Sequence, residues 1–175
     1  MLNSGKRPPA AALGADVIRF STQPSLGGRG IIVELALSDR GRARGRILWF
    51  DGHPHSGWDP EGSAQFSLSA KDYRRLASTV DRLLATYRER NVETDFICTD
   101  GEEYVTERVR SGSVVTLAGS CPYTMTELHP NARIGAAMLS LACRYILADD
   151  PDDHRLRASC RRWRVRARGD GAPVS

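Results

Sequence analysis

A chain of 175 residues with 41% hydrophobic side chains has enough material for one buried core, since a domain ordinarily takes about 100–200 residues. The formal charge of +4 is uneven: residues 154–175 hold seven Arg against one Asp, while residues 1–153 hold eighteen basic and twenty acidic side chains. A cationic body is thereby excluded, no apolar run approaches the ~20 residues of a membrane helix, and four dispersed cysteines do not make a disulfide scaffold for a chain this long.

Residues 1–14, rich in Pro, Ala and Gly without periodicity, read as a disordered lead. The run Ala10 to Leu13 follows Pro8-Pro9 and stops at Asp16, too short for a signal-peptide core, so the expected location is cytoplasmic. Val17 to Phe20 is a short strand candidate. Gln23 to Gly30 is glycine-rich but lacks the closing Gly-Lys-Ser/Thr and the helix that a phosphate loop needs.

Ile31 to Leu37 alternates strictly, with Ile31, Val33, Leu35 and Leu37 on one face. Ser38-Asp39-Arg40-Gly41 is a turn, and the return strand from Arg42 to Phe50 puts Arg42, Arg44 and Arg46 on a single face. Three Arg in a row are a candidate polyanion site; a solvated strand guarded by charge is the plainer account. Asp51 to Ala64 reads as a loop. Its His53 and His55, with Asp51, could present imidazole and carboxylate to one metal, although two His fall short of the three or four ligands that zinc takes. No cofactor is implied.

Ser69 and Asp72 resemble a capping box before a helix with apolar Tyr73, Leu76, Val80, Leu83, Leu84 and Tyr87. A meander follows: Phe96 to Thr99, the turn Asp100-Gly101, Glu102 to Arg110, the turn Ser111-Gly112, and Ser113 to Ala118. Two-residue turns would set Cys98 against Glu103, Val105 against Ala118 and Val109 against Val114. The outer strands of a meander lie about 9–10 Å apart, beyond disulfide reach. A Cys98–Cys121 bridge therefore requires the chain to fold back after Gly119.

Asn131 is the expected cap of a second helix carrying Ile134, Met138, Leu141 and Tyr145, with Cys143 as a small buried apolar residue. Leu76, Leu83, Ile134 and Leu141 are expected at the centres of the two buried stripes. The last residues, 151–175, form a basic tail or a short docking helix through Leu156, Cys160 and Trp163, with the solvated tail expected. Arg161, Arg162, Arg164 and Arg166 make it a second candidate polyanion surface.

The run Phe66 to Leu76, then Cys98-Thr99-Asp100-Gly101 and Gly119-Ser120-Cys121, resembles a class of small bacterial α+β domains of uncharacterised function. The resemblance spans about residues 16–148 and brings no catalytic residues. Strands closed by one helix occur twice, so the expectation is a single α+β domain over 15–150 in two layers. A mainly antiparallel sheet of five to six strands would carry two amphipathic helices on one face. The function expected is a non-enzymatic binding or accessory domain with a protein partner, and homo-oligomers are compatible with it. The alternatives are a nucleic-acid-associated protein using Arg42, Arg44, Arg46 and the tail, and a metal-dependent protein using the His53/His55 segment.

Overall fold

The alternation of Ile31, Val33 and Leu35 builds one of six strands in a single sheet. The computed structural model describes residues 15–24, 28–53, 57–90, 102–120 and 130–149, with 157, 158, 160 and 161. In chain order the elements are β1 (Asp16–Pro24), β2 (Gly28–Leu37), β3 (Ala43–His53), β4 (Gly57–Leu68), α1 (Ala70–Arg90), β5 (Glu102–Arg110), β6 (Ser113–Ser120) and α2 (Pro130–Asp149). The sheet order is β4-β3-β2-β1-β5-β6, with every neighbouring pair antiparallel. Ile18, Phe20, Val33, Leu35 and Ile47 of the strands share one core with Tyr73, Val80, Leu84, Ile134 and Met138 of the helices. Both helices thus lie on one face, the expected two-layer α+β arrangement. Among the described residues no helix is long and apolar enough to cross a membrane.

The tight turns work as their chemistry predicts. Gly41 takes a φ of +73°, and its N–H donates to the Ser38 carbonyl at 2.8 Å. Ser111 and Gly112 both have positive φ, 49° and 79°, as a type I′ hairpin demands. That turn sets Val109 opposite Val114 and Val105 opposite Ala118, the register read from sequence.

Three elements differ from expectation. Asp51 to Ala64 is not a loop: β3 runs on to His53 and β4 pairs with it from Gly57. Pro60 is tolerated because β4 is an edge strand. Trp49 faces Gly62 whereas Phe50 faces Pro60, so Glu61 is the extra residue of a bulge. Beside β5 lies β1, with Gln23 on one side of Glu103 and Ser120 on the other. Both lateral places at Glu103 are thus filled by described strands; Cys98, expected opposite it, and the rest of residues 96–99 lie outside the described residues. In that position the first strand joins the two halves of the chain into one sheet.

Asn131 is the third difference. It lies inside α2, the second residue of the helix, buried, and ties the start of that helix to the sheet. Thr106 Oγ1 donates to its Oδ1 at 2.6 Å, and its Nδ2 donates to the carbonyls of Tyr104 and Leu117 at 3.2 Å each.

Ser69 does cap α1, its Oγ accepting from the Asp72 N–H at 3.0 Å. The buried stripe is Tyr73, Leu76, Ala77, Val80 and Leu84, while Leu83 and, on α2, Leu141 are only half-buried. The offset is one residue: Leu84, not Leu83, points into the sheet. Truncation measured by urea melting should follow, with Leu84→Ala costing about 2–5 kcal/mol and Leu83→Ala clearly less.

Aromatic rings lie against glycines at several contacts. A Cβ built at Gly45 would meet the Phe66 ring at 2.1 Å, one at Gly62 the Trp49 ring at 2.5 Å, and one at Gly135 of α2 the Phe20 ring at 2.3 Å. Gly45 and Phe66 are direct cross-strand partners, as are Gly62 and Trp49. Gly45→Ala should destabilise by about 1–3 kcal/mol, and combining it with Phe66→Leu should lose less than the sum of the single changes. Additive losses in that double-mutant cycle would show that the ring and the glycine do not compete for space.

Candidate functional site

The sheet face turned away from the helices carries the polar alternates of the same strands. One row crosses all six strands in register: Gln65, Arg46, Glu34, Arg19, Glu107 and Thr116. Two Arg and two Glu alternate in its middle. Arg19, on the central strand, is only 1% exposed. Its Nε donates to Glu34 Oε1 at 2.9 Å and its Nη1 to Glu107 Oε2 at 3.1 Å, one carboxylate from each flanking strand. A buried guanidinium requires such partners, since an unpaired buried charge costs several kcal/mol. Its Nη2, and Nε of Arg46 beside Glu34, are buried without a hydrogen-bond partner.

On either side of this row the face changes character. Towards one end, Val17 and Val109 form a small separate apolar cluster with Ala36. Towards the edges it opens: Arg44, Ser63, Gln65 and Ser67 are exposed, and Val114 on β6 is 48% exposed. Arg42, also exposed, precedes β3, its N–H donating to Ser38 Oγ at 3.1 Å. Exposed guanidinium groups offer planar paired donors that match carboxylate or phosphate oxygens.

The buried polar cluster on the helix side is closed upon itself. Arg108, 4% exposed, donates through Nε to Asp81 Oδ1 at 2.8 Å and through Nη1 to Asp16 Oδ1 and to the Val109 carbonyl. Burial works against its charge, but the Asp81 and Asp16 acceptors outweigh that and raise its pKa. Tyr73 donates its hydroxyl to Asp16 at 2.6 Å. Burial first, then Asp16, pushes that hydroxyl far above its ordinary range, so it stays a neutral donor. Every member is spent on another member, and the cluster fastens α1 to β1 and β5.

A groove of about 560 Å³ runs between the helices, with Leu76, Leu141 and Leu147 on its walls and Arg75 and Arg144 among its polar residues. At one end Tyr145 donates to Asp72 Oδ2 at 2.6 Å and Arg144 donates to the same oxygen at 2.9 Å. The hydrogen bond from the Tyr145 hydroxyl, the largest effect, holds the Asp72 carboxyl below its usual value against burial, with the Arg144 charge and the Ser69 hydrogen bond adding to the lowering. A depressed carboxylate pKa stabilises above the unfolded value and is lost on acidification, so this tie between helices weakens below about pH 4.

Cys143 differs from the sequence expectation. It is buried, but it is bonded to Cys160, 17 positions on, with Cα atoms 5.7 Å apart. Residues 157, 158, 160 and 161 are helical, and Cys160 belongs to the helix-side core. A wholly solvated tail is therefore not what forms.

The sequence-derived candidates are thus not gathered in one place. Arg44 and Arg46 sit on the helix-free face, whereas the exposed Arg161 follows Cys160 on the helix side. Asp51 and His53 belong to β3, but their side chains, like His55, lie outside the described residues, as do Cys98, Cys121, Arg162, Arg164 and Arg166. Arg19, the centre of the charged row, went unnoticed in the sequence because one Arg in a short apolar run carries no pattern. The alternation of charge across the sheet becomes visible only once the register is known. No family model, curated protein or solved structure matches the chain.

Charge pairing at Arg19 is open to a direct test. Arg19→Ala should cost about 3–5 kcal/mol in denaturant melts, because it leaves two facing carboxylates without their cation. Arg19→Met combined with Glu34→Leu and Glu107→Leu should recover much of that loss. Equal losses in both variants would mean that the shape of the side chain, and not its charge, is what the sheet needs.

Proposed function

We propose that this protein is a non-catalytic binding or accessory module that meets an acidic surface of another protein through the face of its sheet that is free of helices among the described residues. The observation that carries the reading is the division of labour between the two faces. The buried Arg108, Asp16 and Tyr73 of the helix side are bonded to one another, whereas the opposite face, which no described helix covers, leaves Arg42 and Arg44 exposed beside the exposed polar residues of β4. Half-buried Ala36 lies between Arg44 and the central strand, and half-buried Ile32 and Leu48 pair beyond the Arg46–Glu34 row, supplying apolar area on the same face. A nucleic-acid role for Arg42, Arg44 and Arg46 together with Arg161 is disfavoured, because these residues do not share a surface.

Photo-crosslinking residues placed at exposed positions test this. Positions 65 and 67 report on the helix-free face, and positions 78 and 85 report on the exposed side of α1. In native cells the first pair should yield a discrete protein adduct that disappears in an Arg42→Glu, Arg44→Glu variant whose melting is nearly unchanged. Adducts formed only from the α1 positions, or binding to DNA and heparin that charge reversal abolishes while no protein adduct forms, would overturn the reading.

A further inference from the structure

Two cysteines brought together in a fold serve one of three purposes, and the residues around Cys143 and Cys160 discriminate among them. A metal half-site needs further ligands, and among the described residues no three His, Cys, Asp or Glu side chains gather. A catalytic dithiol needs an accessible thiolate, usually in a Cys-x-x-Cys turn or at a helix N-terminus. Here the separation is 17, the exposures are 0% and 1%, and Cys143 lies in the second half of α2. What remains is a structural bond closed inside the core. Such bonds persist where the surroundings are oxidising and are rare where glutathione and thioredoxin keep thiols reduced.

We infer that the chain matures and works in an oxidising compartment, where the Cys143–Cys160 bond is a staple that holds the segment around residues 157–161 on α2. The bond forms by thiol–disulfide exchange with a disulfide-bearing oxidant. The two thiols give up two protons and two electrons, and the oxidant leaves as two thiols. The cytoplasmic location expected from the N-terminal residues gives way to this chemistry. Arg157 and Arg161 are then carried on a docked segment, on the opposite side of the molecule from Arg44.

Trapping thiols with acid and an alkylating agent in the cells that make the protein reads the bond directly. The peptides bearing Cys143 and Cys160 should be recovered joined, two mass units below the reduced pair; recovery of both as alkylated thiols would overturn the inference. A Cys143→Ser, Cys160→Ser variant should melt about 6–12 °C lower than the oxidised chain, the shift expected for a loop of this length in a chain of this size. If that variant does not fold, the intact protein is melted with and without a phosphine reductant, and a fall of similar size supports the staple. Complete reduction of the 143–160 pair with no change in melting temperature would show that the bond holds nothing.

Discussion

Everything in this fold leans on β1, a strand of nine residues with a neighbour on each side and no exposed face along most of its length. Val17, Ile18, Arg19, Phe20 and Ser21 are all buried. It pairs on one side with its immediate successor and on the other with a strand far along the chain, from Asp16 opposite Arg110 to Pro24 opposite Glu102. Without it the three strands β2, β3 and β4 and the hairpin of β5 and β6 would be two separate sheets, each with raw edges. Burying Arg19 at that junction is a costly device that works only with a carboxylate from each side, so the charge itself favours the register in which Glu34 and Glu107 flank it.

The same junction explains the helix side. Asp16, at the start of β1, accepts from Tyr73 of α1 and from Arg108 of β5, so one carboxylate links three elements that are distant in sequence. Asn131 does comparable work at the start of α2, where a single amide donates to two sheet carbonyls. These are polar contacts inside an apolar layer, and each is saturated, which is the condition under which buried polar groups sharpen a fold instead of weakening it. It is also why that layer offers little chemistry to a ligand.

Local features were legible in the sequence to the extent that they depend on neighbours. The hairpin at Ser111-Gly112 and its register, the alternation of β2, the cap at Ser69 and both helices follow from turn chemistry and period. Features that depend on distant residues were not. β4 was obscured because Pro60 and the glycines beside it look like loop punctuation, and only pairing with β3 makes them tolerable at an edge. The difference between Leu83 and Leu84 is one helical position, finer than a hydrophobic stripe resolves. Cysteine spacing carries no connectivity, so the partnership of Cys143 with Cys160 had to come from the fold. The candidate site lies between these cases: Arg42, Arg44 and Arg46 are visible as a row along one strand, while the row across the strands that contains Arg46 and Arg19 is not.

The rings seated on glycines carry a consequence for how this chain can drift over generations. At Gly45 and Phe66, and again at Gly62 and Trp49, volume is shared between two strands in a fixed total, so neither position is free to change alone. A lineage that gains a methyl group on one strand must shed ring atoms on the other, in that order or the reverse, passing through an intermediate that is overpacked or hollow. Related chains should therefore show these sites changing as couples, small with large, and such paired change would mark β3 and β4 as neighbours even where little else in the two sequences agrees.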